Sequence, residues 1–143
     1  MSTKLEHANL CVGDIDGMIK FLQTALSDFI IRHDETDSDG DRWVHIGNDT
    51  TYIALNNSTQ KDSSDWTPYS GKPGVNHLGY MVDNAEQVRS RLLAADYIES
   101  TVENNHLFRK RLYFYDPEGR DWEFVEYLSE KLEERNDYTL ADK

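Results

Sequence analysis

An internal repeat is the feature that most constrains the fold of this chain. Residues 7–26 and 77–96 follow the same plan at an offset of 70 positions. In each copy a short alternating strand leads to Asp14 or Asn84, whose side chain can accept hydrogen bonds from the free N–H groups that begin a helix. Apolar residues at helical spacing then follow in both copies. The repeat predicts two halves built on one plan.

Three segments with high β propensity follow each predicted helix, separated by turn residues such as Gly40 and Pro117. The predicted helices are 15–26 and 85–95, and the predicted strands after them are 29–33, 42–46, 51–56, 97–103, 108–115 and 121–127. With the strand that opens each half, the chain is predicted to be an α+β protein made of two βαβββ modules in a mixed sheet.

A length of 143 residues fits a single domain with the two modules as its halves. The first module is predicted at about 4–57 and the second at about 75–128. Residues 58–74 are rich in Ser, Asp, Pro and Gly, which is typical of a linker. Residues 129–143 form a charged tail, either a short helix packed on a partner or a loose end.

Charge and cysteine content narrow the classes of partner. The chain has 15 basic and 27 acidic residues, a net charge of −12, so nucleic acid and anionic membrane surfaces are poor partners. Cys11 is the only cysteine, which excludes an intrachain disulfide. With no apolar run of signal-peptide or membrane-spanning length, we expect a cytoplasmic protein that binds a small molecule.

Strand parity separates a face that helices can cover from a helix-free face that is left for a ligand. The helix-free face is predicted to carry His7, Asn9, Cys11, Trp43, His45, Tyr52, Ala54, Asn56, His77, Gly79, Met81, Arg109, Arg111, Tyr113, Tyr115, Asp121, Glu123 and Val125. Histidines, aromatic rings and a carboxylate on one face indicate a polar-lined cavity. Trp43 and Tyr52 are candidate substrate contacts. Arg109 and Arg111 either bind an anionic substrate group or pair with the many carboxylates.

Three motifs together resemble the vicinal oxygen chelate superfamily: His7-x4-Val12-Gly13-Asp14, His77-x4-Val82-Asp83-Asn84, and Asp116-Pro-Glu-Gly-Arg-Asp-Trp-Glu123. This superfamily includes glyoxalase I, extradiol dioxygenases, manganese-dependent fosfomycin-resistance enzymes and metal-free bleomycin-resistance proteins. The resemblance covers about residues 4 to 128. It implies that the paired modules curl into a half-barrel around a divalent metal, with helices on the outer face.

The resemblance also implies a set of metal ligands. His7 and His77 match the first-strand ligands, and Glu123 matches the last-strand ligand. The first-module glutamate of glyoxalase falls at Ala54, which cannot bind a metal. Two histidines and one carboxylate suit one divalent ion, with Fe(II) or Mn(II) favoured and Zn or Ni as alternatives. Taken alone, His7 is also explained as a hydrogen-bonded strand residue.

A narrower resemblance concerns the pattern Asn104-Asn-His106-x5-Leu112-Tyr113-x2-Asp116-Pro117-x-Gly119-x3-Glu123, which is similar to the extradiol dioxygenase signature. It implies that His106 and Tyr113 contact the substrate. The acid–base histidine of those enzymes has no match in 57–76, and His45 is the substitute candidate. His106 is alternatively an ordinary hairpin residue.

The leading hypothesis is a metal-dependent small-molecule enzyme with a dioxygenase-like ligand set. One alternative is a metal-free binding module, for which the net charge of −12 favours a cationic guest. A glyoxalase-like lyase needs a replacement for the ligand lost at Ala54, and a fosfomycin-type transferase uses the same three ligands. Exposed sheet edges favour a homodimer, with the site within one chain or between two.

Overall fold

The computed structural model describes residues 2–58, 68–102 and 105–140. It divides into two compact units, residues 1–64 and 65–143. Each unit contains one mixed sheet and its own helix, which confirms the predicted α+β class. Within the described ranges, no helix has the length and apolar character needed to cross a membrane.

The first unit is a βαβββ module. Its elements are β1 (His7–Val12), α1 (Ile15–Ala25), β2 (Ile30–Thr36), β3 (Arg42–Gly47) and β4 (Tyr52–Asn57). The strand order is β1-β4-β3-β2, with β1 parallel to β4 and the other pairs antiparallel. The element order is as predicted, although β2 extends to Thr36 rather than ending at His33.

Helix α1 begins where the sequence predicts, because the Asp14 carboxylate accepts a hydrogen bond from the Gly17 N–H at 2.9 Å. Its apolar side packs on β4. The large fully buried side chains of this unit come from α1 and from the covered face of β1, β3 and β4: Val12, Met18, Phe21, Leu22, Val44, Ile46, Ile53 and Leu55. The opposite face of the sheet is left for polar side chains, since one face is used for the core.

The second unit repeats this plan with one fewer strand. Its elements are β5 (His77–Met81), α2 (Ala85–Ala94), β6 (Arg109–Tyr115), β7 (Asp121–Tyr127) and a short α3 (Leu132–Arg135). The strand order is β5-β7-β6, with β5 parallel to β7 and β6 antiparallel to it. Asn84 caps α2 by accepting from the Gln87 N–H at 3.0 Å. The core side chains Leu92, Phe114, Trp122 and Phe124 are fully buried.

The strand predicted at 97–103 is not a regular strand, and Glu103 lies outside the described residues. The segment runs beside β6 with one isolated bridge, Glu99 to Phe114. The Tyr113 N–H donates to the Thr101 hydroxyl at 2.9 Å. A side-chain hydroxyl therefore takes a position that a backbone carbonyl would hold in a continuous ladder, and the strand pattern is lost.

The charged tail packs on its own unit. The Arg135 guanidinium lies 5.0 Å from the ring centroid of Tyr127, and that of Arg109 lies 5.5 Å from the ring centroid of Tyr138. Residues 141–143 of the tail and 59–67 of the predicted linker lie outside the described residues.

The turn between β6 and β7 is organised by the buried carboxylate of Asp116. It accepts from the backbone N–H groups of Glu118 and Arg120 at 2.8 and 3.1 Å, and from the Trp122 indole N–H at 3.0 Å. Gly119 has a φ of +84°, a conformation that residues with a side chain rarely adopt. This turn sets where β7 starts, and so where Glu123 lies.

We predict that Asp116→Ala lowers the free energy of unfolding by about 3 kcal/mol, because it leaves buried N–H donors without their charged acceptor. Urea denaturation followed by fluorescence measures the change. The control is Asp39→Asn in the exposed β2–β3 loop, which should change it by less than about 0.5 kcal/mol. Equal effects of the two substitutions would contradict the role given to Asp116.

Candidate active site

The second unit brings two of the predicted metal ligands together. His77 on β5 and Glu123 on β7 lie on neighbouring parallel strands, with Glu123 directly opposite Gly79. Because Gly79 has no side chain, the Glu123 carboxylate lies over it, and a Cβ added there would be 3.6 Å from Oε2. His77 Nε2 and Glu123 Oε2 are 3.1 Å apart. The imidazole and the carboxylate therefore point towards a common place.

This separation fits two ligands of one metal ion. Ligand atoms at about 2.1 Å from a metal and at right angles to each other are about 3.0 Å apart. Both side chains are partly accessible, with relative exposures of 34% for His77 and 14% for Glu123. A cation can therefore reach the pair from solvent.

A chain of hydrogen bonds lies behind His77. The Tyr69 hydroxyl donates to Asp121 Oδ2 at 2.6 Å and lies 3.4 Å from His77 Nδ1. The Ser100 hydroxyl donates to the other oxygen of the buried Asp121 carboxylate at 2.6 Å. Burial of the hydroxyl, followed by its bond to Asp121, raises the pKa of Tyr69. Tyr69 lies in the predicted linker, and no sequence signal singled it out.

Tyr113 stands beside His77 and Glu123. It is directly opposite Glu123 in the β6–β7 register, and its ring meets that of His77 edge-on at 5.6 Å. Burial, followed by the nearby Glu123 carboxylate, raises the pKa of Tyr113 to about 12. The hydroxyl is therefore protonated at neutral pH and is a hydrogen-bond donor, with the Glu123 carboxylate as its acceptor.

His106 is buried, and both of its ring nitrogens contact backbone groups. Nδ1 accepts from the Phe108 N–H at 3.1 Å, and Nε2 lies 2.9 Å from the Asp137 carbonyl, to which it can donate. This pairing matches the alternative of an ordinary hairpin residue, and the catalytic role of His106 stays a prediction.

The two arginines proposed for substrate binding differ in exposure. Arg109 is buried at the start of β6, with its guanidinium near the ring of Tyr138. Arg111 is half-buried and lies opposite Val125, on the same face as Tyr113 and Glu123. Arg111 is therefore the better placed of the two for a ligand on this face.

The first unit gathers imidazole and aromatic rings on its helix-free face. The rings of His7 and His45 stack on Tyr52 with centroid separations of 4.8 and 4.7 Å. The Arg32 guanidinium is 4.5 Å from the Tyr52 centroid. Trp43 follows on β3, two residues before His45. Four of these residues, His7, His45, Tyr52 and Trp43, are sequence-predicted site residues.

The ring nitrogens of His7 are not equivalent. Nδ1 lies 3.0 Å from Glu6 Oε1, so a proton on Nδ1 leaves the lone pair on Nε2. Ala54 is buried on β4 opposite Asn9 and His45 and offers no ligand atom.

Across the described ranges, no three His, Cys, Asp or Glu side chains are grouped so that they could hold a metal ion.

A family model places the chain among known proteins. The model described as Glyoxalase/Bleomycin resistance protein/Dioxygenase superfamily matches residues 4–124. The chain therefore belongs to this superfamily, which confirms the resemblance seen in the motifs. No curated protein matches it in sequence.

Solved structures share the fold. The fosfomycin resistance protein FosX from Listeria monocytogenes, complexed with Mn(II) and sulfate, is 20% identical with a TM-score of 0.67 over 94% of this chain and 98% of that one. Trypanothione-dependent glyoxalase I from Leishmania major is 19% identical with a TM-score of 0.65 over 87% of each chain. A glyoxalase family protein from Bacillus cereus is 12% identical with a TM-score of 0.74 over 90% of this chain and 97% of that one. At these identities the likeness shows the fold alone.

We predict that His45 titrates below the ordinary imidazole pKa of about 6.5. Burial is the main cause that lowers the pKa of His45, and the positive charge of His33 adds to it. His33→Gln should therefore raise the pKa of His45 without restoring the ordinary value. NMR titration of the imidazole C–H resonances measures the pKa of His45 in the wild type and in His33→Gln. Asp39→Asn is the control and should leave this pKa unchanged. A wild-type value at or above 6.5 would contradict the burial of this ring.

Proposed function

We propose that this protein is a divalent-metal-dependent enzyme whose small-molecule substrate binds the metal through two neighbouring oxygens. Its ligands are His77, Glu123 and His7, and Fe(II) or Mn(II) is the favoured ion. The observation that carries the proposal is the 3.1 Å separation between His77 Nε2 and Glu123 Oε2. Mn(II) in the FosX structure gives independent support, because that protein has the same fold.

The surroundings of both imidazoles support the same assignment. Metal-binding histidines usually donate their second ring N–H to an oxygen, which fixes the ring and its tautomer. In His7 that oxygen is Glu6 Oε1, and in His77 it is the Tyr69 hydroxyl. Each pairing leaves Nε2 as the nitrogen available to a metal.

The origin of the third ligand depends on the oligomeric state of the protein. His7 is supplied either by the same chain or by a second copy in a homodimer. The strands β1 and β5, which carry the two histidines, are edge strands of their own sheets. Edge strands have unpaired backbone groups, which favours association with a further chain. We place the protein in the cytoplasm on the basis of its single cysteine.

For the reaction, we propose extradiol-type ring cleavage of a catechol, with O2 as the co-substrate. A bound divalent metal supplies positive charge that stabilises anionic substrate oxygens. Tyr113 is protonated at neutral pH, and its hydroxyl turns from Glu123 to donate a hydrogen bond to one of those oxygens. His45, with its lowered pKa, is neutral and acts as the proton acceptor. Trp43, Tyr52 and Arg111 are the proposed contacts to the rest of the substrate.

A second candidate is a fosfomycin-type reaction, in which a thiol or water adds to an epoxide carbon and the ring oxygen leaves that carbon to become a hydroxyl, as the FosX likeness suggests. The contacts of both His106 ring nitrogens to backbone groups favour this candidate, since ring cleavage then relies on His45 alone for proton transfer. A glyoxalase-like lyase is the weaker alternative because Ala54 replaces its fourth ligand. Metal-free binding of a cationic compound is the remaining alternative. It is favoured if the protein takes up no divalent metal in the test described below.

We predict that the protein takes up about one Fe(II) or Mn(II) per chain. His77→Ala and Glu123→Ala should weaken the affinity at least about 100-fold, because each removes a ligand atom. Equilibrium dialysis with elemental analysis measures the uptake. The matched control is His33→Ala on the edge strand β2, which should bind as tightly as the wild type.

A wild-type protein that takes up none of Fe(II), Mn(II), Zn(II) or Ni(II) would contradict the proposal and favour the metal-free binding module. Mixing refolded His7→Ala and Glu123→Ala chains tests the origin of the third ligand. If His7 comes from a second copy, the mixture regains sites that neither variant has alone. If it comes from the same chain, nothing is regained.

We predict that the Fe(II)-loaded protein consumes O2 with catechols, and that Tyr113→Phe lowers kcat about 100-fold at unchanged metal content. The reason is loss of the hydrogen-bond donor beside the ligand pair. Oxygen-electrode assays measure kcat, with Tyr80→Phe on the covered face of β5 as the control. If the Fe(II)-loaded protein consumes no O2 with catechols and the Mn(II)-loaded protein opens the epoxide ring of fosfomycin, the second candidate is favoured instead.

A further inference from the structure

We propose that Tyr69 is a positioning residue that holds His77 with a proton on Nδ1, and that Asp121 and Ser100 hold Tyr69 in turn. We name the four residues Tyr69, His77, Asp121 and Ser100 the Tyr69 relay. Its effect on metal affinity rests on the proposed function, whereas its effect on the His77 ring does not. All four residues belong to the second unit.

The direction of the hydrogen bonds defines the relay. An ionised carboxylate only accepts, so both hydroxyls must donate to Asp121, as the 2.6 Å contacts from Tyr69 and Ser100 indicate. With its proton committed to Asp121, the Tyr69 oxygen can only accept from His77 Nδ1. The ring then carries a proton on Nδ1, so Nε2, which lies 3.1 Å from Glu123 Oε2, is the nitrogen that a metal would bind.

The backbone of Tyr69 supports a positioning role. Its φ is +62°, in the left-handed region that is unfavourable for a residue with a side chain. The Asn76 side chain holds this conformation by accepting from the Tyr69 N–H at 3.2 Å. Such strain persists only where the surroundings require it, and it is common at functional sites.

Core packing does not explain the strained conformation. Tyr69 is 56% exposed, so its ring contributes little buried area. Its hydroxyl, in contrast, reaches the buried Asp121 carboxylate and the neighbouring His77 imidazole. The 3.4 Å between that hydroxyl and His77 Nδ1 is long for a hydrogen bond, and we expect it to shorten when Nε2 binds a metal.

Metal affinity is the first readout. We predict that Tyr69→Phe weakens Mn(II) and Zn(II) binding 10- to 100-fold, the usual effect of losing a hydrogen-bond partner behind a ligand. The matched control is Tyr115→Phe. Tyr115 lies opposite Asp121 but is not part of the relay, so this substitution removes a tyrosine hydroxyl and leaves the relay intact. It should change the affinity less than twofold. Competition with a metallochromic chelator measures all three proteins.

Asp121→Asn is a second variant that keeps the size of the buried group. Its amide can donate to the Tyr69 oxygen, which frees the Tyr69 proton to point at His77 Nδ1. The proton of His77 is then favoured on Nε2, where it competes with the metal. We expect at least the loss seen for Tyr69→Phe.

A readout without metal separates this proposal from the proposed function. In the metal-free protein, NMR should show a proton on Nδ1 of His77 that exchanges slowly with water. Exchange should stay slow in Tyr115→Phe and become fast in Tyr69→Phe. A wild-type protein that binds no metal but shows this exchange pattern would contradict the proposed metal-dependent function. It would still support the positioning role of Tyr69.

Two results would overturn the relay. One is fast exchange of the His77 Nδ1 proton in the wild type. The other is a Tyr69→Phe protein with wild-type metal affinity and wild-type exchange, even if it unfolds at a lower temperature, since that pattern describes a purely structural residue.

Discussion

The contact between the His77 imidazole and the Glu123 carboxylate depends on the parallel pairing of β5 with β7. In that register Glu123 lies opposite Gly79, two residues after His77, so both side chains leave the sheet on the same side. The opposite face is filled by Trp122 and Phe124, which are fully buried. A shift of one residue would bury the carboxylate and expose the core, so the hydrophobic pattern that folds the unit also fixes the positions of His77 and Glu123.

The regular elements of the fold could be predicted because their signals are local. Asp14 and Asn84 accept from the N–H groups of Gly17 and Gln87, as N-cap residues ahead of an apolar periodic segment are expected to do. Strand alternation likewise predicted the buried faces of both sheets. The strand expected at 97–103 was wrong because β propensity does not show that the Thr101 hydroxyl takes the place of a backbone acceptor.

The candidate site was predictable in part, for a similar reason. Parity placed His77, Tyr113 and Glu123 on one face, and the structure brings these three together. Tyr69 was missed because its segment is rich in turn-forming residues and has no periodicity that predicts a direction for a side chain. The surroundings of His106 and Arg109 were missed because Asp137 and Tyr138 come from a tail whose docking leaves no repeating pattern.

The two units place their polar residues in different chemical settings. The second unit joins a carboxylate, an imidazole and two tyrosine hydroxyls, a set suited to binding a cation and an oxygen-rich ligand. The first unit stacks His7 and His45 on Tyr52 beside Arg32, a set that suits a flat or anionic group. The superfamily hosts several reactions on one fold, so these side chains, and not the fold, decide the chemistry.

The most direct measurement of the central claim is an anomalous difference map from crystals of the Mn(II)-loaded protein, recorded on both sides of the manganese edge. We expect one peak per chain within about 2.3 Å of His77 Nε2 and Glu123 Oε2, with a His7 imidazole as the third ligand. A map with no peak at that pair, or with manganese bound elsewhere while His77 and Glu123 contact only each other, would contradict the claim.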